Sequence, residues 1–501
     1  MTITVSRNWL QCFVLQALLP CEQSVLDISI GEVFFIMGNF IVTLISRVYG
    51  FLWGDWIRLP LPGDGVLSLP PLVLLLFPVG IYFTIRTRCM QIRLIPDMFR
   101  TLTEKKERKH GGLSAIQALI VSTATRVGMG NLVGVVAAIS FGGAGAVFWM
   151  WISALLGSAT AFVEATLAQL HKQKDPLYGG YRGGPAYYIH DWIQSRRKTP
   201  LKKSILASLF AISGLICWCG ISQVVGNSVT SAFHNAFSIP PLYTTIALVL
   251  VALLIVLRKN ATVKVLDILV PIMSAFYILI TIVLIILNAG QLGSVFSRIF
   301  SEAFGLRQIA AGGFGAVLMN GVKRGLFSNE AGSGSAPCAA AAAESDHPAK
   351  IGIMQAFGVF VDTLLCTCTA MIMLLAPAGA IDGLAGMDLL QASMYAHLGQ
   401  FGVIFIAVIL WLFSFTTFIG VLFYARSNVS YLFGDHWAAQ TGYKLLALVM
   451  LFVGGLAAYT FVWDLGDVGI GLMTIFNLIA LLPLSKEALA SLKDFEQRKR
   501  R

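Results

Sequence analysis

Between residues 71 and 484 the chain repeats one feature: apolar stretches of the length a helix needs to cross a bilayer, about 20 residues. The stretches are 71–86, 114–140, 144–170, 205–233, 241–257, 262–288, 308–342, 350–378, 399–425, 443–463 and 467–484. In hydrocarbon each backbone N–H and C=O has to be satisfied inside the protein, which makes helices of such runs. The pattern predicts an all-α polytopic membrane protein with about 11 transmembrane helices. Charged residues are 12% of the 501, roughly half the share of a soluble domain, and no long polar block separates the runs. Segment 31–57 is apolar but interrupted by Asn39, Ser46, Arg47 and Asp55, and it ends in Tyr49, Phe51, Trp53 and Trp56. Those aromatics suit a helix lying in the membrane interface; a twelfth span is the alternative. Residues 1–30 lack a basic region followed by a small-residue cleavage site, so no cleavable signal peptide is expected.

The net charge of +11 could mark a nucleic-acid binder, but the basic residues lie in short connections between apolar runs, and no nucleic-acid partner is expected. Eight lie in 85–110 and eight in 172–203, with Arg258, Lys259 and Lys264 in the next turn and a KRR tail. The intervening connections, near 234–241, 289–307, 379–398 and 464–467, hold only Arg298 and Arg307. This asymmetry is the positive-inside pattern. It predicts a multi-pass protein of a bacterial inner membrane with its C-terminus in the cytoplasm.

Two runs are unlike the others and like each other. Run 114–140 contains TRVGMGNLVG at 125–134, and run 308–342 contains NGVKRGLFSNEAGSGSAP at 320–337. Glycines and Pro337 weaken a helix interior, and Arg126, Lys323, Arg324 and Glu330 each cost a few kcal/mol at bilayer depth. From 114 onward there are ten spans, and the two odd runs open the first and second five. Five is odd, so the halves enter from opposite sides: two inverted five-helix repeats, each led by a discontinuous helix, as in many secondary transporters. The predicted divisions are an N-terminal extension (1–60), a leading helix and basic loop (61–113), repeats at 114–307 and 308–485, and a basic tail (486–501).

An unwound helix frees N–H groups that attract a carboxylate and carbonyls that can hold a cation. Gly128, Gly130 and Gly134 in the first run, and Gly332 and Gly334 in the second, would allow this, with Asn131, Ser328, Asn329, Ser333 and Ser335 as neutral polar groups; close helix packing through small residues is the competing reading. Thr416 and Thr417 are adjacent mid-span hydroxyls suited to Na+, or else bonded back to their own helix. Gln223 and Asn227, four apart, share a helix face that could meet a cavity. Glu164 and Asp362 stand in apolar helices, either functional or satisfied as structural pairs. Arg126 is expected to answer a carboxylate or helix carbonyls. Cys217/Cys219 and Cys366/Cys368 are two apart on a helix and so point away from one another, which disfavours disulfide or metal sites. GMGNLVG imitates a dinucleotide fingerprint but lies inside a membrane-length run with no acidic residue about 20 positions on. No HExxH, P-loop lysine or nucleophile elbow occurs, so no enzyme activity and no cofactor are expected; a membrane enzyme or a channel is the reading from another class.

At these motifs the sequence resembles the alanine or glycine:cation symporter family, over about residues 71–485. The family's VGxGN stands at Val127–Asn131, its GGPGAVFWMW is echoed at 142–151 with Ala144 for proline, its YRGGP is intact at Tyr181–Pro185, and its RGLFSNEAGLGSAP is present at Arg324–Pro337 with Ser333 for leucine. The resemblance implies a five-plus-five (LeuT-like) core of the amino acid–polyamine–organocation superfamily, moving alanine or glycine with Na+, or H+ in some members. It implies that the two broken helices hold the substrate, with contacts at Gly128, Gly130, Asn131, Asn329, Glu330 and Gly332; Gln223 is added as a substrate contact from its helix face. It also implies a cation site of carbonyls near Thr125 and Gly128 with Thr416 and Thr417. Were H+ the coupling ion, Glu330 or Asp362 would titrate. Met129, Ala340 and Val421 depart from the family's usual residues at their positions.

Overall fold

The computed structural model describes residues 42–54, 56–61, 65–103, 113–256, 261–304, 314–381, 383–457 and 459–500. The chain divides after Val48 into a leading unit and a main unit, Tyr49–Arg501. Expectations for residues 1–41, which include Cys12 and Cys21, for the basic residues 105–109, and for Arg258 and Lys259 lie outside the described residues.

Helix α1 (Val42–Trp53) and a short hairpin, β1 (Ile57–Leu61) with β2 (Gly65–Leu69), precede α2 (Pro71–Arg86). After α3 (Ile95–Thr103) come α4 (Ala115–Arg126), α5 (Val135–Gly142), α6 (Gly145–Leu170), α7 (Pro185–Gln194), α8 (Ile205–Phe237), α9 (Pro241–Val256), α10 (Ala261–Leu287) and α11 (Leu292–Ala303). The second half has α12 (Phe314–Asn329), α13 (Pro337–Ala341), α14 (Pro348–Leu374), α15 (Gly386–Leu398), α16 (Gln400–Phe433), α17 (Trp437–Leu456) and α18 (Tyr459–Arg500). Seven helices among the described residues are long and apolar enough to cross a membrane, or eight when α4 and α5 are taken as one bent span. The chain is therefore a multi-pass helical membrane protein. Runs 71–86 and 241–257 form 16-residue helices α2 and α9. Run 308–342 is divided between α12 and the five-residue α13.

Helices from the two halves pack on one another. Helix α6 runs along α14 and α12, and α8 along α18, α16 and α17. Side chains such as Leu250, Leu254, Ile268, Phe276, Leu279 and Ile286 on α9 and α10 remain exposed, as a lipid-facing surface should.

Both odd runs are broken as expected, by different means. Helix α4 starts at a capping box, Ser114 and Gln117 each bonding the other's backbone N–H, and stops at Arg126. The chain opens only at Val127–Met129. Gly130–Gly134 stay helical as a wide π turn, and α5 leaves bent by 43°. The second break is fully unwound from Glu330 to Ala336, with left-handed backbone at Glu330 (φ 56°), Gly332 (95°) and Gly334 (82°). Positive φ is uncommon for a non-glycine residue; Glu330 holds it as the residue that ends α12. Pro337 then starts α13 at a first-turn position, where its missing N–H costs no bond.

The basic end of the bundle is tied by the last turns of α18. Glu496 meets Arg93 at 2.7 Å, Lys499 meets Asp97 at 2.8 Å, and Asp494 meets His347 at 3.0 Å. His171, just past α6, lies 2.9 Å from both Asp191 and Glu487. Burial alone would lower its pKa, but the two carboxylates outweigh burial and hold it above 6.5. A raised folded-state pKa stabilises fully below the unfolded value and ceases to do so as pH rises through the folded one. His171→Ala should therefore lower the melting temperature more at about pH 6 than at about pH 8.5; an equal drop at both would show that the imidazolium contributes nothing.

Candidate transport site

The two breaks lie side by side, so the backbone groups each leaves unpaired must be answered by side chains from neighbouring helices. At the first break Asn131 folds back: its Oδ1 accepts from Gly128 N–H at 2.9 Å, while its Nδ2 donates to Asp362 Oδ1 at 2.7 Å and to the Asp362 carbonyl at 3.0 Å. Ser328, two residues before the second break, donates to the same Oδ1 at 2.7 Å. One carboxylate on α14 thus ties both broken helices. Gly130 packs against Ser328, where an added Cβ would come within 3.1 Å of the Ser328 Cα.

Helix α16 supplies the opposite wall. Thr417 Oγ1 accepts from Met129 N–H at 3.1 Å and lies 3.4 Å from the Ala124 carbonyl and 2.9 Å from that of Phe413. Thr416 donates to Phe413 O at 2.9 Å. A loop of oxygens from α4 and α16 therefore converges where α4 ends. Seven residues beyond Thr417, on the same helix face, the Tyr424 hydroxyl lies 2.6 Å from Thr125 Oγ1, and the two hydroxyls stand 3.2 and 3.3 Å from Glu330 Oε2. On the far side of the second break Glu164 Oε2 accepts from Gly332 N–H at 3.1 Å. Asn477 of α18 donates to the Gly332 carbonyl at 3.0 Å and to Glu164 Oε1, and accepts from Tyr188.

Thr125, Gly128, Gly130, Asn131, Glu330, Gly332 and Thr417 are thus brought to one place, while the Thr416 hydroxyl bonds back to its own helix. Asn329 adjoins it, its Oδ1 accepting from Ala331 N–H at 2.9 Å beside a small cavity lined by Leu76, Phe77, Gly157 and Thr160. Gln223 stands elsewhere: it is buried between α8 and α17, with its amide on Met450 Sδ at 3.4 Å. Asn227 donates to the Ala457 carbonyl at 2.7 Å. Tyr424 and Asn477 are members of the site that the sequence pattern does not single out. Tyr424 reads from sequence as a core aromatic, and Asn477 offered only the signal of a lone amide in an apolar helix.

The charge inventory is lopsided. Glu164, Glu330 and Asp362 are buried, and none has an ion-pair partner among the described residues. Arg126, also fully buried, donates to the carbonyl and side chain of Gln355 at 3.0 and 3.1 Å, and its field reaches all three carboxylates. One arginine among three buried acids leaves a region rich in oxygen acceptors. At Gly128 the first break lies tight against α16, since a Cβ there would overlap Thr417 Oγ1. Gly128→Ala should spread the two helices, a close-packing clash of about 1–3 kcal/mol, and abolish transport by folded protein; full activity in a vesicle uptake assay would refute this contact.

The profile of the sodium:alanine symporter family matches residues 62–501. The probable sodium/glutamine symporter GlnT of Bacillus subtilis is 41% identical over 434 residues, 86% of this chain and 88% of that one. The sodium/alanine symporter AgcS of Methanococcus maripaludis is 35% identical over 91% of this chain and 97% of its own. The sodium/proton-dependent alanine carrier protein of Bacillus sp. strain PS3 is 34% identical over 80% and 92%. These relatives are symporters, not enzymes. With a match that spans most of its length, the chain belongs to the sodium:alanine symporter family.

Proposed function

We propose that this protein carries a small neutral amino acid, alanine or glycine, into the cell together with Na+ by alternating access. Membership of the family gives Na+-coupled amino-acid symport; the substrate, the ion site and the cycle are our reading. The observation that carries it is the convergence of both broken helices on Thr417, Asp362 and Glu330. Na+ would take oxygens near Ala124, Thr125, Thr416 and Thr417. The amino acid would lie between the breaks, its carboxylate toward the N–H groups near Gly128 and Gly130 and its ammonium toward the acidic oxygens. Gln223 would belong to this site only after a movement of α8.

Eleven spans with a five-plus-five core fit the packing. If the second half repeats the first, α8 against α18 corresponds to α16 against α10, and α4 against α14 corresponds to α12 against α6; all four pairs pack together. The divisions at 61, 114, 308 and 486 follow from the same scheme. The basic connections support an inner-membrane protein with a cytoplasmic C-terminus. A zwitterion moved with one Na+ transfers one charge, worth about 2.3 kcal/mol per 100 mV, or roughly 50-fold accumulation.

A second reading, H+ in place of Na+, draws on the Glu330–Tyr424–Thr125 cluster. Proteoliposome uptake of labelled alanine and glycine separates the two. An inward Na+ gradient should drive accumulation, and Thr417→Ala should raise the Na+ needed for half-maximal uptake several-fold, as loss of one buried oxygen ligand would. Uptake that ignores Na+, collapses with a protonophore and is lost in Glu330→Gln would establish H+ instead. Transport of glutamine but of neither small amino acid would overturn the substrate.

A further inference from the structure

The family match begins at residue 62, yet the end of α1 reaches deep into the matched part of the chain. At the end of the bundle away from the basic loops, Arg324 of α12 forms a two-pronged ion pair with Asp467 of α18, each nitrogen 3.0 Å from its oxygen. Lys323 stands 3.4 Å from the same carboxylate. Arg324 lies 3.9 Å above the Trp463 ring, and Phe327 meets that ring edge-on at 4.9 Å. These contacts fasten α12 to α18 on the approach to the break at Glu330. Bidentate guanidinium–carboxylate bonds with a stacked aromatic are strong and directional.

The pair does not stand alone. Tyr49 OH accepts from Lys323 Nζ at 2.7 Å, and Trp53 Nε1 donates to the Asp467 carbonyl at 3.1 Å. Both rings also lie near the Lys323 ammonium, at 5.1 and 5.8 Å. Leu52 and Trp53 are almost wholly buried, and they fit because residue 471 is glycine: a Cβ there would come within 3.0 Å of Leu52 Cδ1 and 3.5 Å of Trp53 Nε1. A segment outside the repeats thus touches both charged partners of the α12–α18 contact, and neither hydrogen bond is needed to build α1 itself.

We propose that Tyr49 and Trp53 are positioning residues for transport: they hold the Lys323–Arg324–Asp467 cluster together and thereby set how readily α12 parts from α18 to admit substrate from that end. This rests on the transport reading above. When the cluster opens, α18 should leave α8 at Gly466, whose carbonyl accepts from Cys217 Sγ at 3.7 Å, so Cys217 reports the opening. Cys338, buried in α13 beyond the break, serves as the control.

The test uses full-length protein in detergent, with Cys217 or Cys338 as the single cysteine. Each background carries Tyr49→Phe or Trp53→Phe, which remove one hydrogen-bonding group and keep an aromatic ring. Maleimide should label Cys217 roughly two- to ten-fold faster in either variant, the span a single lost hydrogen bond gives, and Cys338 no faster. In vesicles the same variants should show a lower KM for substrate and a lower kcat, a split that mere loosening would not produce. An unchanged Cys217 rate, or equal acceleration at Cys217 and Cys338, would overturn the proposal. Failure of the unmodified protein to transport would instead fall on the symport reading, because the labelling rates do not depend on it.

Discussion

Everything at the centre of this protein depends on one electrostatic constraint: two helices are interrupted at buried positions, where what the interruption exposes has to find partners. A lone unsatisfied backbone group at that depth costs several kcal/mol. The chain meets the cost with side chains lent by unbroken neighbours. Asp362 from α14 holds Asn131 and Ser328, Thr417 from α16 holds Met129, and Glu164 and Asn477 hold Gly332. Each of these side chains sits on a helix that packs along its partners for much of its length, so the breaks are framed by stiff elements.

That arrangement also explains why acidic groups are tolerated there with so little positive charge. Asp362 and Glu164 each accept two or more hydrogen bonds and Glu330 faces two hydroxyls, which recovers part of their hydration. Among the described residues the arginine nearest them, Arg126, donates to Gln355. A site with this excess of acidic and neutral oxygens is consistent with the cation site proposed above.

Much of this was legible in the sequence because membrane helices are written in long apolar runs and their interruptions stand out. That the runs 114–140 and 308–342 are interrupted follows from their glycines and charges, whereas the pairing of Gly128 with Thr417 was implied only by the family resemblance. The π turn at Gly130–Gly134 was not legible, since its glycines read equally well as unwinding. Nor was the place of Gln223: on a helix as apolar as α8 the face toward α17 and a face toward a cavity carry the same residues, and only packing decides. Tyr424 was hidden for a related reason, because an aromatic in an apolar helix reads as core until a carboxylate is found beneath its hydroxyl. The tie from Trp53 to Asp467 joins positions 414 apart, a separation over which no local pattern carries information.

Helix α18 spans 42 residues and touches all three levels of the molecule: Asp467 near one end, Asn477 beside the second break, and Glu487 to Lys499 at the basic end. At 1.5 Å per residue the stretch from Asp467 to Glu487 covers about 30 Å. A rod pinned at both ends and at its middle acts as a lever, in which freeing one end shifts the load borne by the other. Pro483 lies between Asn477 and Glu487 and removes one rung of the helix ladder, making that turn the softest point of the rod. The ties at the two ends of the bundle are thereby joined mechanically through a single continuous helix.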